Sequence, residues 1–200
     1  MIQDPDQPSP DMASTMLTLI TTRQTILPKR LSEPGPSAWQ VNDMFRAAAA
    51  APDHHMIMPW RFVLVPPDRR AALADVFAQA LLERDGAATP EQVAQACEKA
   101  FRSPFLALAI ARLGLCEPDV DPLERMVSVG AAIQNFLLVA HSMGFGASLT
   151  SGQAMRSAAL RQLFQLLEGE QAVCCLNVGT ARKRKPARLL PDVSAFVSSL

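Results

Sequence analysis

The sequence has no excess charge of either sign. Its 200 residues include 19 basic and 19 acidic side chains, so the formal net charge is zero. Proteins that hold nucleic acid or an anionic membrane depend on clustered positive charge, so the balance argues against both as the main partner. Charged residues make up 19% of the chain and hydrophobic residues 49%. This composition fits one domain with apolar surface to spare for a subunit interface.

Histidine and cysteine are scarce, and their spacing matches no metal site or hydrolytic triad. The histidines are His54, His55 and His141, and no G-x-S-x-G nucleophile elbow accompanies them. The four cysteines have no C-x-x-C spacing, so we interpret them as buried, reduced thiols of a cytoplasmic protein. We expect Cys174 and Cys175 to point to opposite faces of one strand.

Targeting segments and nucleotide-binding loops are also missing from the sequence. Residues 1–15 are acidic and rich in proline, unlike a signal peptide. Charges, Gly or Gln interrupt every apolar run before the ~20 residues that a membrane span needs. There is no P-loop, and G-F-G-A-S-L at 144–149 lacks the third glycine of a dinucleotide fingerprint. We expect residues 1–12 to form a disordered leader and residues 13–200 a single domain.

Helical and strand patterns alternate unevenly, which favours an α+β sheet packed by helices over a doubly wound parallel sheet. The helix at 121–143 is apolar nearly all round, so we expect it in a core or an interface. Capping and periodicity predict further helices at 13–22, 37–51, 68–85 and 157–167 and one beginning at Thr89, and strand-forming residues predict strands at 60–65, 105–112, 146–149 and 172–178.

With hydrolytic and metal chemistry set aside, a bound organic cofactor is the remaining source of reactivity. The segment A-P-D-H-H-M-I-M-P-W at 51–60, which precedes a strand, resembles the nitroreductase-family segment that ends in P-W. Upstream, R-Q-T at 23–25 stands where that family has an R-x-S/T motif. Downstream, L-T-S-G at 149–152 and V-G-T at 178–180 follow in family order. The resemblance covers roughly residues 14–200 and is closest to small single-domain members.

The resemblance implies a three-layer α+β fold with a central, mostly antiparallel sheet flanked by helices. It implies a homodimer with exchanged C-terminal tails and with FMN bound at the subunit interface. NAD(P)H would donate hydride through FMN to a nitroaromatic, a quinone or a similar acceptor by a ping-pong mechanism. No side chain is assigned as a catalytic acid or base.

The resemblance also assigns cofactor-binding positions. A surface arginine near a helix end, a solvated basic loop and an ordinary helix terminus would explain the same residues without a cofactor. The FMN positions are Arg23, Gln24 and Thr25 at the phosphate and ribityl chain, His54 reaching the flavin of the partner subunit, Leu149, Thr150 and Ser151 beside the ring, and Arg184 from the basic loop at 182–188. The nicotinamide nucleotide is assigned to Val139, Ala140, His141, Ser142, Met143 and Gly144.

Departures from the family pattern keep two alternatives open. Close members carry an aromatic residue and an arginine in place of Leu149 and Thr150, and some carry a second arginine in place of Ala50. A two-residue insertion at 26–29 shifts the phosphate loop. One hydrogen bond to a charged group contributes roughly 1.5–3 kcal/mol, so such losses would weaken FMN binding. The alternatives are a non-enzymatic dimer of the same fold and a flavin enzyme of different substrate chemistry, such as fragmentation or dehalogenation.

Overall fold

The computed structural model describes residues 10–115, 118–184, 186 and 189–200. Of the expected leader, residues 1–9 lie outside this part, and the first helix begins at Pro10 instead of residue 13. The helices are α1 (Pro10–Thr22), α2 (Ala38–Ala49), α3 (Arg70–Arg84), α4 (Pro90–Glu98), α5 (Pro122–Ser142) and α6 (Ala158–Leu163), and the strands are β1 (Leu31–Ser32), β2 (Trp60–Leu64), β3 (Phe105–Arg112), β4 (Gly146–Thr150) and β5 (Glu170–Ala181).

The strands form one antiparallel sheet around β5. The order along the sheet is β1-β5-β3-β2, and β4 pairs with β5 as well. Every strand pair is antiparallel. A parallel bridge also joins Thr25, which lies outside the strands, to Ala147 of β4. The α+β fold with a mostly antiparallel sheet is therefore confirmed.

Helices cover both faces of this sheet and give it three layers. One core cluster packs α2 and α5, with Phe136 at its centre, against the alanines of β3 and Cys174 of β5. The other packs α3 and α6 against Leu108 of β3 and Cys175 of β5. Neighbouring side chains of one strand alternate between the faces, so the two cysteines separate as expected. Cys97 is half-buried, and Cys116 lies outside the described residues.

Helix starts agree with the capping signals, whereas some ends do not. Ser37 and Thr89 each form a complete capping box, with Gln40 and Gln92 respectively. Helix α6 stops at Leu163, four residues before the predicted end, and Gln165 just beyond it has a positive φ of 49°. Strand β5 extends the predicted strand by two residues at its start and three at its end. The two-residue strand β1 was not predicted.

Helix α5 is long and apolar enough to cross a membrane by length and composition. Its best 18-residue window has a mean hydropathy of 1.2, and 44% of that window is buried inside the fold. The helix packs along α2 and against β3 and β4. These contacts account for the apolar residues on the face that meets α2 and the sheet.

A buried carboxylate joins the first residues of β5 to β2. Glu170, 4% exposed, receives hydrogen bonds from Nε and Nη2 of Arg61, both at 2.7 Å. Arg112 lies 3.7 Å from the same carboxylate. The hydrogen bonds from Arg61 lower the pKa of Glu170 to about 2. A bidentate guanidinium–carboxylate pair of this kind holds both position and orientation.

We expect Glu170→Gln to lower the free energy of unfolding at pH 7 by roughly 3 kcal/mol, because it leaves the half-buried guanidinium of Arg61 without its carboxylate partner. The pKa is depressed on folding from 4.5 to about 2. The stabilisation is therefore complete above pH 4.5 and declines as the pH falls towards 2. Urea denaturation at several pH values measures the difference between the two proteins.

The matched control is Glu98→Gln, which removes an exposed pair with Arg102 in which the Glu98 side chain is 63% exposed. We expect this control to change the stability by less than about 0.5 kcal/mol. Equal losses in the two variants, or a Glu170 effect that does not change with pH, would contradict the assigned role.

Candidate functional site

A cavity of about 680 Å³ opens between the α3–α4 pair and the turn that follows β4. Its volume lies within the usual range for small-molecule sites. Thr150 and Ser151 line it on one side, and Lys29 lies at its edge in the segment before β1. The cavity is further lined by Phe77, Ala80, Leu81, Arg84, Gln95, Ala96, Lys99, Leu106 and Gln153.

A buried hydrogen-bond chain holds Thr150 at the edge of this cavity. Asn177 of β5 is 1% exposed and donates from Nδ2 to Oγ1 of Thr150 at 3.0 Å. Oδ1 of Asn177 accepts in turn from Ser103 at 3.0 Å. Because the Thr150 oxygen accepts from the amide, its own hydroxyl proton remains available to a bound molecule. Sequence reasoning missed Asn177, although an amide inside an apolar strand is a signal of a buried polar contact.

Cys175 also lines the cavity, and its environment keeps it protonated. Burial raises the pKa of this thiol to about 12. A thiol that stays protonated at neutral pH is a poor nucleophile and a poor metal ligand. The described residues contain no group of three or more His, Cys, Asp or Glu side chains that could hold a metal ion. The cavity is thus suited to binding a molecule more than to covalent chemistry by its own side chains.

A buried arginine joins the two ends of the segment 66–104, which contains α3 and α4 and forms one wall of the cavity. Arg70 is 5% exposed and donates to the carbonyl of Val65 at 2.7 Å, at the point where this segment begins. It also donates to the carbonyls of Ala100 at 2.7 Å, Ser103 at 3.3 Å and Pro104 at 3.1 Å, where the chain returns. One side chain therefore joins both ends of the wall. Sequence reasoning did not single out this residue.

We expect Arg70→Met to lower the free energy of unfolding by about 3–5 kcal/mol, because three buried carbonyls and one part-buried carbonyl lose a charged donor. Hydrogen exchange should accelerate in α3 and α4 more than in α5. The neighbouring Arg69 is exposed, so Arg69→Met serves as the control and should change stability by less than about 0.5 kcal/mol. Equal exchange rates in wild type and Arg70→Met would contradict this account.

A second cluster forms where α1, α5 and the segment after β5 meet. Thr22 Oγ1 at the end of α1 lies 3.1 Å from Nε2 of His141 on the last turn of α5. Arg184 donates from Nη2 to the carbonyl of Gly144 at 2.9 Å, and Gln24 donates to the carbonyl of Pro186 at 3.2 Å. The structure thus brings the predicted residues from 23–24, 141–144 and 184 together. We call this group the cation cluster.

The charges of the cation cluster suit an anion. Burial, and then the positive charges of Arg184 and Arg23, lower the pKa of His141. Within the part of the chain that the structure describes, neither arginine forms a salt bridge with a carboxylate. Two guanidinium groups without acidic partners fit a phosphate dianion, which accepts paired N–H donors.

A continuous stretch of backbone connects the cation cluster to the cavity. Beyond Arg23, Thr25 pairs with Ala147 of β4, and the amide of Ile26 donates to the carbonyl of Ala147 at 3.0 Å. From Ala147 to Thr150 the strand advances ~10 Å. The predicted residues at 23–25 and 150–151 therefore lie along one path with a cation pair at one end and a cavity at the other. Leu149 is 43% exposed on the same strand and is not among the cavity residues.

A family model described as the nitroreductase family matches residues 20–180 of the chain. This chain belongs to the nitroreductase family. It is 30% identical over 186 residues to the "Putative NAD(P)H nitroreductase" of Haemophilus influenzae, an alignment that spans 92% of this chain and 98% of that protein.

Solved structures share the fold of this family member. The nitroreductase-like family protein of Bacillus cereus superimposes with a TM-score of 0.80 at 17% identity, over 92% of this chain and 95% of the other. Iodotyrosine deiodinase, solved with FMN and 3-iodo-L-tyrosine, superimposes with a TM-score of 0.67 at 18% identity, over 89% and 96%. The three-layer arrangement is thus that of known nitroreductase-like structures.

His54, which the family resemblance assigned to the flavin of the partner subunit, lies apart from the cation cluster within this chain. Its Nδ1 is 2.6 Å from Oε1 of Glu124 on the first turn of α5, and its ring stacks on His55 at a centroid distance of 4.1 Å. Helix α5 has 21 residues, so its two ends are separated by about 30 Å. His54 and His141 therefore belong to opposite ends of the same helix.

The loop that contains His54 combines backbone strain with exposed apolar side chains. His55, Met56 and Met58 all have positive φ angles, of 59°, 53° and 47°. The amide of Met58 donates to Oδ2 of Asp53 at 2.7 Å, and this bond closes the loop. Met56 is 88% exposed. Strained conformations of this kind concentrate at functional surfaces, and the sequence analysis did not predict the strain.

The six residues assigned to the nicotinamide nucleotide differ in their accessibility. Ala140 is fully buried, and Val139 and Met143 pack against the core cluster around Phe136. His141, Ser142 and Gly144 remain accessible at the helix end. In the basic loop at 182–188, Lys185, Ala187 and Arg188 lie outside the described residues. The nicotinamide assignment stays a prediction.

Proposed function

We propose that this nitroreductase-family chain is an FMN-dependent, NAD(P)H-using oxidoreductase. The observation that carries the proposal is a path that runs from the guanidinium groups of Arg23 and Arg184 to the cavity edge at Thr150 and Ser151. Among the described residues, neither guanidinium group has a carboxylate partner. FMN has the matching shape, with a phosphate at one end of a flexible chain and a ring at the other. The relative in Haemophilus influenzae is named for NAD(P)H, and the deiodinase of the same fold was solved with FMN.

Six of the predicted cofactor residues have a task within one chain in this arrangement, whereas Leu149, which does not line the cavity, has none. Arg23 and Arg184 would bind the phosphate through charge-assisted hydrogen bonds. Gln24 and Thr25 would lie beside the ribityl chain, and Thr150 and Ser151 would contact the ring with hydroxyl and backbone groups. When bound, FMN accepts hydride from a reduced nicotinamide and passes electrons to an oxidised acceptor such as a nitroaromatic or quinone. The apolar part of the cavity would exclude water from the ring.

A homodimer is part of the same proposal, and exposed apolar side chains support it. Trp39 of α2 is 64% exposed, and Val127 of α5 is 73% exposed. Obligate interfaces bury roughly 2,000 Å² or more of such surface. His54 and the strained loop would then reach the flavin of the partner subunit, and the C-terminal tail would cover that partner. Exposed apolar residues of α1 and the tail include Met12, Met16, Leu17, Ile20, Leu189, Leu190, Val193, Phe196, Val197 and Leu200.

A second candidate keeps the cofactor and changes the substrate. Iodotyrosine deiodinase shares this fold and acts, by its name, on a halogenated amino acid. A dehalogenating or fragmenting flavin enzyme would use the same cation cluster and cavity edge. A non-enzymatic dimer without FMN is the remaining alternative, and flavin content separates it from the other two. We propose a cytoplasmic location for the protein under each of these three functions, namely the reductase, the other flavin enzyme and the non-enzymatic dimer.

We expect the protein to purify with FMN, or to bind added FMN, at one flavin per chain in a dimer of twice the chain mass. Chromatography of the released chromophore and light scattering measure the two properties. With NAD(P)H and a quinone or nitroarene, double-reciprocal plots should be parallel, because donor and acceptor use the same site in turn. Absence of flavin after reconstitution would remove the cofactor proposal, and intersecting lines would remove the ping-pong mechanism.

We expect Arg23→Ala to weaken FMN binding by roughly 30- to 150-fold, which corresponds to a lost charge-assisted contact of about 2–3 kcal/mol. Arg23→Lys should recover part of the affinity, because an ammonium group cannot form the planar two-bond contact. Fluorescence titration of the apoprotein with FMN measures both variants. The melting temperature should stay near that of wild type, since Arg23 lies outside both core clusters.

Arg30→Ala is the matched control for this prediction. Arg30 lies seven positions along the chain. Its described hydrogen bonds are backbone bonds: its amide donates to the carbonyl of Leu27 at 2.8 Å, and its carbonyl accepts from the amide of Arg182 at 3.0 Å. We expect its replacement to leave FMN affinity within about twofold of wild type. FMN binding by Arg23→Ala as tight as that of wild type would place the phosphate elsewhere.

A further inference from the structure

We propose that His141 is the third phosphate-binding residue of the cation cluster and takes up a proton when a phosphate monoester binds between Arg23 and Arg184. The inference rests on the proposed function in that FMN is the phosphate monoester concerned. It adds a residue to the phosphate site and predicts that cofactor affinity depends on pH. Family resemblance placed His141 only with the nicotinamide nucleotide.

The hydrogen bond to Thr22 determines which nitrogen of the His141 ring bears a proton. The hydroxyl of Thr22 donates to the carbonyl of Thr18 at 2.7 Å. A hydroxyl has one proton, so Oγ1 of Thr22 must accept in its contact of 3.1 Å with Nε2 of His141. Nε2 is therefore the protonated nitrogen of the neutral ring. Protonation of the ring then adds a second donor at Nδ1.

The described residues provide no hydrogen-bond partner for that second donor. The His141 contact within hydrogen-bond distance is the one from Nε2 to Thr22. The ring lies on the last turn of α5 and is partly accessible. An imidazolium beside two guanidinium groups is repelled by both. An anion bound there would offset this repulsion and accept a hydrogen bond from the new N–H group. A phosphate oxygen can do both.

The charges around His141 determine the direction of the proton linkage. Arg23 approaches from the end of α1 and Arg184 from the segment after β5; within α5 itself, the last turn carries no other basic residue. Burial and these two cations lower the pKa of His141. A bound phosphate dianion would offset the two cations and raise the pKa again. The complex therefore holds more protons than the free protein, and affinity falls as pH rises through the pKa of His141 in the complex.

The decisive experiment compares wild type with His141→Gln, whose side chain can still donate to Thr22 but cannot become charged. FMN affinity of the two apoproteins is measured from pH 5.5 to 8.5. The quantity of interest is the ratio of the FMN affinity of wild type to that of His141→Gln. For each unit by which FMN raises the pKa of His141, this ratio falls tenfold across the pH range. We expect an advantage of about tenfold or more near pH 6 that disappears by pH 8.5.

Riboflavin is the matched control ligand, because it has the ring and ribityl chain without the phosphate. The phosphate of FMN also titrates, with a second pKa near 6, but this titration is common to wild type and variant and cancels in their ratio. We expect riboflavin affinity to be the same in wild type and His141→Gln at every pH. Equal FMN profiles for wild type and His141→Gln would overturn the inference.

Nuclear magnetic resonance of the His141 ring measures its pKa directly, both with FMN and with inorganic phosphate in the absence of flavin. Its pKa should rise when FMN is added, and also when inorganic phosphate is added at constant ionic strength. Arg23→Gln should raise the pKa in the free protein, because it removes a repelling charge. If FMN does not bind at all, the cofactor proposal fails, and the phosphate titration still decides this inference. An unchanged His141 pKa in saturating phosphate would overturn it.

Discussion

The hydrogen bonding of β5 is the constraint on which the rest of this structure depends. It pairs with β1, β3 and β4 and spans the sheet from Glu170 to Ala181. The carboxylate of its first residue, Glu170, accepts hydrogen bonds from the half-buried guanidinium of Arg61. Its middle holds Asn177 beside Thr150, and the chain beyond its end provides Arg184. A slip of one residue in this strand would exchange the two faces of the sheet. Such a slip would remove the core-facing side chains of β5 from both core clusters and Asn177 from Thr150.

Local signals predicted the elements whose boundaries are set by neighbouring residues. The capping boxes at Ser37 and Thr89 depend on contacts three residues apart, and both form. The end of α6 and the extent of β5 depend on partners far away in sequence. Glu170, for example, belongs to the strand because it pairs with Arg112 of β3. The residues next to Glu170 in the sequence do not indicate that partner, so the predicted strand began two residues too late.

The candidate site divides in the same way. Arg23 and Thr150 could be assigned from motifs because each lies in a short segment with a recognisable pattern. Arg70 and Asn177 could not be assigned in this way, since their hydrogen-bond partners Ala100 and Thr150 lie 30 and 27 positions away along the chain. His141 could be assigned only in part, because its position at a helix end was predictable from the sequence. The tautomer that Thr22 imposes on it was not.

The geometry of α5 gives a physical reason for a two-chain site. His54 contacts Glu124 at one end of this helix, whereas the cation cluster surrounds His141 at the other, about 30 Å away over 21 residues. No rotamer of His54 spans that distance within one subunit. A twofold axis across paired α5 helices would bring the first turn of one helix towards the last turn of the other, since isologous contacts are reciprocal. If His54 takes part in a flavin site, that site must belong to a second subunit. In such a dimer the partner would hold the strained loop at 53–58 in shape.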